Sequence, residues 1–122
     1  MISIYGKKYG FLLTAEAAVK IADMCPESDL EKIEEAITGK TVDETIAKQC
    51  KFAKILNEGF CEFEKLMGRD AAQLDENAIK KAPFGVYVKI KDEAFAAFLK
   101  GLQGEIDAEP TDTKKAITEA EG

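Results

Sequence analysis

Histidine is absent from all 122 residues, which removes the commonest general base, the usual metal ligand and the Ser-His or Cys-His nucleophile pair together. Ser3 and Ser28 are the serines, one in a β-prone run and one ahead of a helix. No G-x-S-x-G, G-x-x-x-x-G-K-[ST] or G-x-G-x-x-G string occurs. Carboxylates are the route that composition leaves open: Glu34-Glu35, Asp43-Glu44 and Asp92-Glu93 are acid pairs that could bind a metal or act as acid and base. Each pair has a simpler explanation. The first lies on the solvated side of a short predicted helix, and the other two sit at predicted helix starts, where negative charge meets the N-terminal dipole. Cys50 and Cys61 are eleven residues apart, about 16 Å along a helix, too far to share a zinc whose thiolate ligands sit about 2.3 Å away. They read as small core hydrophobes. These residues predict a non-enzymatic protein that needs no metal and no cofactor.

The elements that would position them are organised by one proline-free run, Val42 to Met67, which opens on the capping box Thr41-x-x-Glu44 and stops at Gly68. As a single helix over 42–67 it would be roughly 39 Å long. Val42, Ile46, Ala53, Leu56, Phe60 and Met67 form its central stripe, with Cys50 and Phe63 at the margins, while Lys51, Lys54, Glu58, Glu62 and Lys65 gather opposite. Phe52, Ile55 and Leu66 fall on a flank between the two, so the apolar arc is wider than that of an ordinary surface helix. Either the flank packs against other helices or it is an exposed patch that marks a binding site. Phe52, Ile55 and Leu66 are accordingly the candidate partner-binding residues. Gln49, Asn57 and Glu64 interrupt the stripe and need partners inside the fold or across an interface.

Ahead of this spine, Met1–Tyr5 and Tyr9–Leu13 are β-prone runs around Gly6-Lys7-Lys8, a predicted hairpin. Two strands alone are marginal in water, and the alternation of Val86, Val88 and Ile90 with Tyr87 and Lys89 predicts a third strand over 86–90. Thr14 caps a helix over 15–24 that Pro26 ends. Ser28 with Glu31 makes a second capping box for a short helix closed by Gly39. Asp75 caps a short helix reaching Lys81, and Asp92 a last one in which Phe95, Phe98, Leu99 and Leu102 share an inward face. The fold class is α+β, mostly α-helical, with the N-terminal hairpin packed on a helical core.

Charge divides the chain in two. Of 23 acids against 17 lysines and arginines, Glu105, Asp107, Glu109, Asp112, Glu119 and Glu121 lie beyond Gly104, opposed by Lys114 and Lys115. Residues 1–104 therefore hold 17 acids and 15 cations, a near-neutral α-rich domain, and 105–122 read as an acidic flexible tail with too little apolar surface to offset ordering. No basic excess favours phosphate, which argues against nucleic acid as a partner. Apolar stretches run only a few residues before a charge, far short of the roughly 20 a bilayer needs, which argues against a membrane. Three cysteines without C-x-x-C spacing, and no signal-like start, fit a reducing cytoplasm.

Met1–Leu13 with its Gly6-Lys7-Lys8-Tyr9 turn, the entry through Thr14 into an alanine-rich helix, a second short helix, and the long helix carrying Ile55-Leu-Asn-Glu-Gly-Phe60 together resemble the tail assembly chaperones of long-tailed phages and prophages. Leu66-Met-Gly68 followed by Leu74-Asp-Glu-Asn-Ala-Ile79 fits the same layout. The resemblance covers about residues 1–80 and does not extend to Val86–Leu102. It implies a non-enzymatic protein of the bacterial host cytoplasm that binds and solubilises a tape measure protein during tail assembly. It further implies help in recruiting tail-tube subunits, a capacity for self-association, and a longer product made by frameshifting near the end of the short form, for which the codons of Lys114-Lys115 would offer an A-rich run. Two other classes stay open. One is a different adaptor or regulator of phage or host origin, and the other a carboxylate-dependent enzyme, which requires acids converging in a concave pocket.

Overall fold

The computed structural model describes residues 1–104. The chain opens with β1 (Ile2–Ile4) and β2 (Lys7–Tyr9), paired antiparallel in the register Ile2 to Tyr9, Ser3 to Lys8 and Ile4 to Lys7. The loop is Tyr5-Gly6, not Gly6-Lys7-Lys8: both residues have positive φ, 49° and 82°, as a two-residue type I′ connection requires. Glycine meets that demand freely and tyrosine does not. The second strand consequently starts two residues early, and Gly10–Leu13 leaves the sheet to run across the helices.

Helix α1 (Ala15–Ala22) begins where Thr14 Oγ1 accepts the Ala17 N–H at 3.0 Å. The second predicted helix is shorter than expected: two single 3₁₀ turns, Pro26–Ser28 and Leu30–Lys32, lead into the one-turn α2 (Ile33–Ala36). Asp29, and not Ser28, supplies the cap, accepting the Glu31 N–H at 2.9 Å. Glu27 and Ser28 are held at φ 58° and 54°, whereas a capping residue needs the extended backbone that Asp29 has.

Helix α3 (Val42–Leu66) is the predicted spine. Thr41 Oγ1 accepts the Glu44 N–H at 3.1 Å, and the Glu44 carboxylate turns back to the Lys40 N–H at 2.8 Å, a capping box reaching one residue further out than usual. Gly68 at φ 79° closes the far end. Helix α4 (Glu76–Lys81) is capped by Asp75, as expected.

The third strand does not form. Residues 86–90 belong to the first half of α5 (Phe84–Leu102), the sheet has two strands among the described residues, and Asp92, expected as a cap, lies mid-helix beside Lys91 at 3.2 Å. Val86 and Ile90 are related by four residues as well as by twos, and the buried set Tyr87, Ile90, Ala94 and Phe98 follows the helical period throughout. Pro83 at the helix entrance, φ −55°, is preset for that start. Packing against α3 overrides the β preference of the valines. The face expected to turn inward does so only in part: Phe98 is fully buried and Phe95 half-buried, while Leu99 and Leu102 are exposed.

The core forms where α1, α4 and α5 pack around α3. Phe52 meets Phe98 and Phe95 at ring-centroid distances of 5.4 and 6.2 Å, and Ile21, Cys50 and Leu56 are sealed beside them. The wide apolar arc of α3 is therefore covered by helices on several sides. The result is α+β and mostly α, a hairpin on a helical core with one long helix, as the sequence predicts. The predicted acidic tail, 105–122, lies outside the described residues. Among the described residues no helix is long and apolar enough to cross a membrane.

Candidate functional site

The three residues expected to bind a partner do not share a surface. Phe52 is 0% exposed and Ile55 7%, both in the core, whereas Leu66 is 85% exposed in the last turn of α3. The correction for Phe52 and Ile55 is that the flank packs inside the fold: Phe95 and Phe98 of α5 close over Phe52, and Ile55 lies in the same buried core. The polar residues on the stripe find partners within the fold. Gln49 donates to the Ile37 carbonyl at 3.1 Å and accepts the Tyr87 hydroxyl, and Glu64 receives a two-pronged contact from Arg69 at 3.0 and 2.7 Å. That contact holds the Glu64 carboxyl below its usual range.

Asn57 is the wholly buried polar side chain among the described residues. Its Nδ2 donates to the Gly10 carbonyl at 3.0 Å and the Ala72 carbonyl at 3.3 Å, and its Oδ1 accepts the Leu74 N–H at 2.8 Å. One amide thus ties the exit of the hairpin and the loop before α4 to the middle of α3. Around it, Leu56 O accepts the Leu12 N–H at 3.0 Å, and Gly59 lets the Leu12 carbonyl in so closely that a Cβ there would sit 2.6 Å from it. Gly101 of α5 gives way to Leu13 in the same manner, at 2.5 Å. The stretch Ile55 to Phe60 is therefore a seat for the strap 10–13, which lies across α3 and α5.

Seating the strap holds the hairpin above α4 and α5 and leaves a half-open groove of about 390 Å³ between them. Leu74, Ile79 and Ile90, all buried, form its floor. Ile4, Lys7 and Tyr9 share the hairpin face that looks into it, and Val86 stands opposite. Ala78 and Ala82 keep the α4 wall low. Tyr5, 78% exposed, stands at the mouth. The dimension and the apolar floor suit a small ligand or a few side chains of a peptide. Sequence reasoning missed this site because it needs residues 86–90 as helix; the Tyr5-Gly6 pair was its visible signal, a bulky aromatic in a place where Asn or Gly is preferred.

The acid pairs sit elsewhere. Glu34, Glu35 and Glu44 border a broad, open depression of about 650 Å³ with Lys40 and Lys48, and Glu44 is engaged with the Lys40 amide. Asp92 and Glu93 are on α5. Among the described residues no group of three or more Cys, Asp and Glu is placed to hold a metal ion. Burial pushes the thiols of Cys25, Cys50 and Cys61 up, away from thiolate reactivity, and each is free. Comparison with protein-family models, curated proteins and solved structures finds no match to this chain.

Proposed function

We propose that this chain is a non-enzymatic assembly chaperone, of the tail-assembly kind that its first 80 residues resemble, and that the groove beneath the hairpin holds an apolar stretch of a tape measure protein. The observation that carries the reading is the groove itself: an apolar-floored cleft of about 390 Å³ next to an exposed tyrosine held in a left-handed conformation. A tyrosine at positive φ costs about 1–2 kcal/mol, and such strain gathers at binding sites. Tyrosine is also among the residues that anchor protein interfaces, since it offers a large rigid contact area with a polar tip. A tape measure protein is a long helical chain with apolar faces exposed before assembly, and many weak sites along it gain strength by repetition. Tail-tube subunits are further partners in this reading, and copies bound side by side along one chain bring self-association.

The test is co-expression with the long gene product encoded next to this one. Soluble complex is expected with the wild type. Ala78→Glu places a charge on the groove wall at an exposed position and should abolish the complex without unfolding the chain. Tyr5→Asn suits the type I′ turn better and should raise stability by about 1 kcal/mol while weakening the complex. Absence of any complex with the wild type removes the tape measure protein as partner, and unchanged binding by both variants removes the groove.

A further inference from the structure

We infer that Ile106 seats in a trough along α5, so that the chain's own segment after Gly104 covers an apolar face of that helix. This docking site is separate from the groove beneath the hairpin. The trough holds about 520 Å³ and lies between Met1 and Phe11 on one side and the α5 face from Glu93 to Gln103 on the other. Met1 and Leu99 are exposed there and Phe11 is half-buried, while Ala96 and Ala97 keep the helix surface low. The apolar period Phe95, Phe98, Leu99, Leu102 therefore ends with two leucines facing out of the described fold, and the next large apolar residue in the chain is Ile106.

The occupant follows from where the chain leaves the helix. Gln103 caps α5 and lines the trough. Gly104 follows at φ 79°, and its N–H donates to the Gly101 carbonyl at 3.0 Å. That is the inner bond of a Schellman turn, which bends the chain back toward the helix it has left and is commonly accompanied by an apolar contact with the last helical turns. Two residues beyond Gly104 span at most about 7 Å, and Leu99 lies about 7.5 Å back along the axis, so the near end of the trough is within reach of Ile106. Ile117, the other large apolar residue of 105–122, is on a longer tether. Docking a side chain so close to its attachment costs little loop-closure entropy, which lets a segment too polar to fold alone add one side chain to a finished fold. A second copy is a poorer occupant. The α5 face of the trough is about 15 Å long and one helix, about 10 Å, wide, on the order of 150 Å² against the roughly 800 Å² per partner of a stable interface.

Methyl-labelled full chain tests this by NMR. The Ile106 methyls should show nuclear Overhauser contacts to the Leu99 methyls and the Phe11 ring within one molecule. Ile106→Asp should abolish them and speed trypsin cleavage after Lys100 about fivefold, because proteolysis follows the population of the uncovered form. Leu99→Asp, at an exposed position, should speed cleavage to the same extent, with both variants folded by circular dichroism, and Ile117→Asp should leave contacts and cleavage unchanged. Absence of the contacts in the wild type, or an unchanged cleavage rate in Ile106→Asp, overturns the docking. Contacts made by Ile117 in place of Ile106, or contacts that isotope filtering shows to run between two copies, overturn the assignment of the occupant.

Discussion

Truncating Asn57 to alanine should be the most damaging single polar substitution in the fold. Asn57→Ala strands two buried backbone groups at once, the Gly10 carbonyl and the Leu74 N–H, and takes one of two donors from the Ala72 carbonyl, which keeps the Cys61 thiol at 3.3 Å. A buried group left without its partner costs about 1–3 kcal/mol. Gly10 and Leu74 are buried while Ala72 is half-buried and can recruit water, so the sum expected is about 3–5 kcal/mol, a large share of the 5–15 kcal/mol that holds a typical domain. At roughly 4 °C per kcal/mol for a chain of this size, the melting point should fall by about 12–20 °C. Asn57→Asp sharpens the test, because it keeps the acceptor for Leu74 but turns a carboxylate oxygen toward two carbonyls. Burial and those carbonyls raise the folded pKa of the new aspartate above its unfolded value of about 3.9. The folded state then binds more protons than the unfolded one between the two values, so the variant's deficit grows as pH rises through that window and levels off above it. Denaturant titrations at several pH values read both effects. A loss below about 1 kcal/mol for Asn57→Ala, or a deficit for Asn57→Asp that is greater at pH 4 than at pH 7, would refute the account of Asn57 as the tie between strap and loop.

Glycine to alanine should have opposite signs along the chain: Gly59→Ala and Gly101→Ala push into Leu12 and Leu13 and should destabilise by about 1–3 kcal/mol, whereas Gly85→Ala meets open space within α5 and should stabilise by about 0.5–1 kcal/mol. Chemical denaturation separates them. Phe52→Ala should cost about 3–5 kcal/mol because its ring is sealed between α3 and α5, while Leu66→Asp should change stability by no more than about 0.5 kcal/mol; equal effects would contradict the placement of α5. Thiol labelling at neutral pH should be slow for Cys50 and accelerate as pH rises, since burial holds its thiol protonated, with half-buried Cys61 reacting first.

What the sequence discloses well is what local chemistry decides. The caps at Thr14, Thr41 and Asp75, the long helix and the N-terminal hairpin are all legible, because a hydroxyl or carboxylate before an apolar period has a direct mechanical role. Ser28 misleads because its capping potential depends on a backbone angle that Pro26 and the following turn set, which composition does not reveal. Val86–Ile90 misleads because the residues satisfy both periods over five positions, and only the continuation to Ala94 and Phe98 favours the helix. The groove was illegible for the same reason: its walls come from the hairpin and from a segment read as strand. Phe52 and Ile55 were correctly marked as needing cover: α5 covers Phe52, and Ile55 is buried in the same core.

The strap has a consequence in time as well as in space. Its docking surfaces, Leu56 to Phe60 and Gly101, are synthesised well after residues 10–13, so the strap waits first for α3 and then for α5 before both of its seats exist. The groove draws one wall from the hairpin and another from α5. A chain arrested before α5 therefore presents a loose hairpin and no groove, and the cleft takes shape only once α5 is in place.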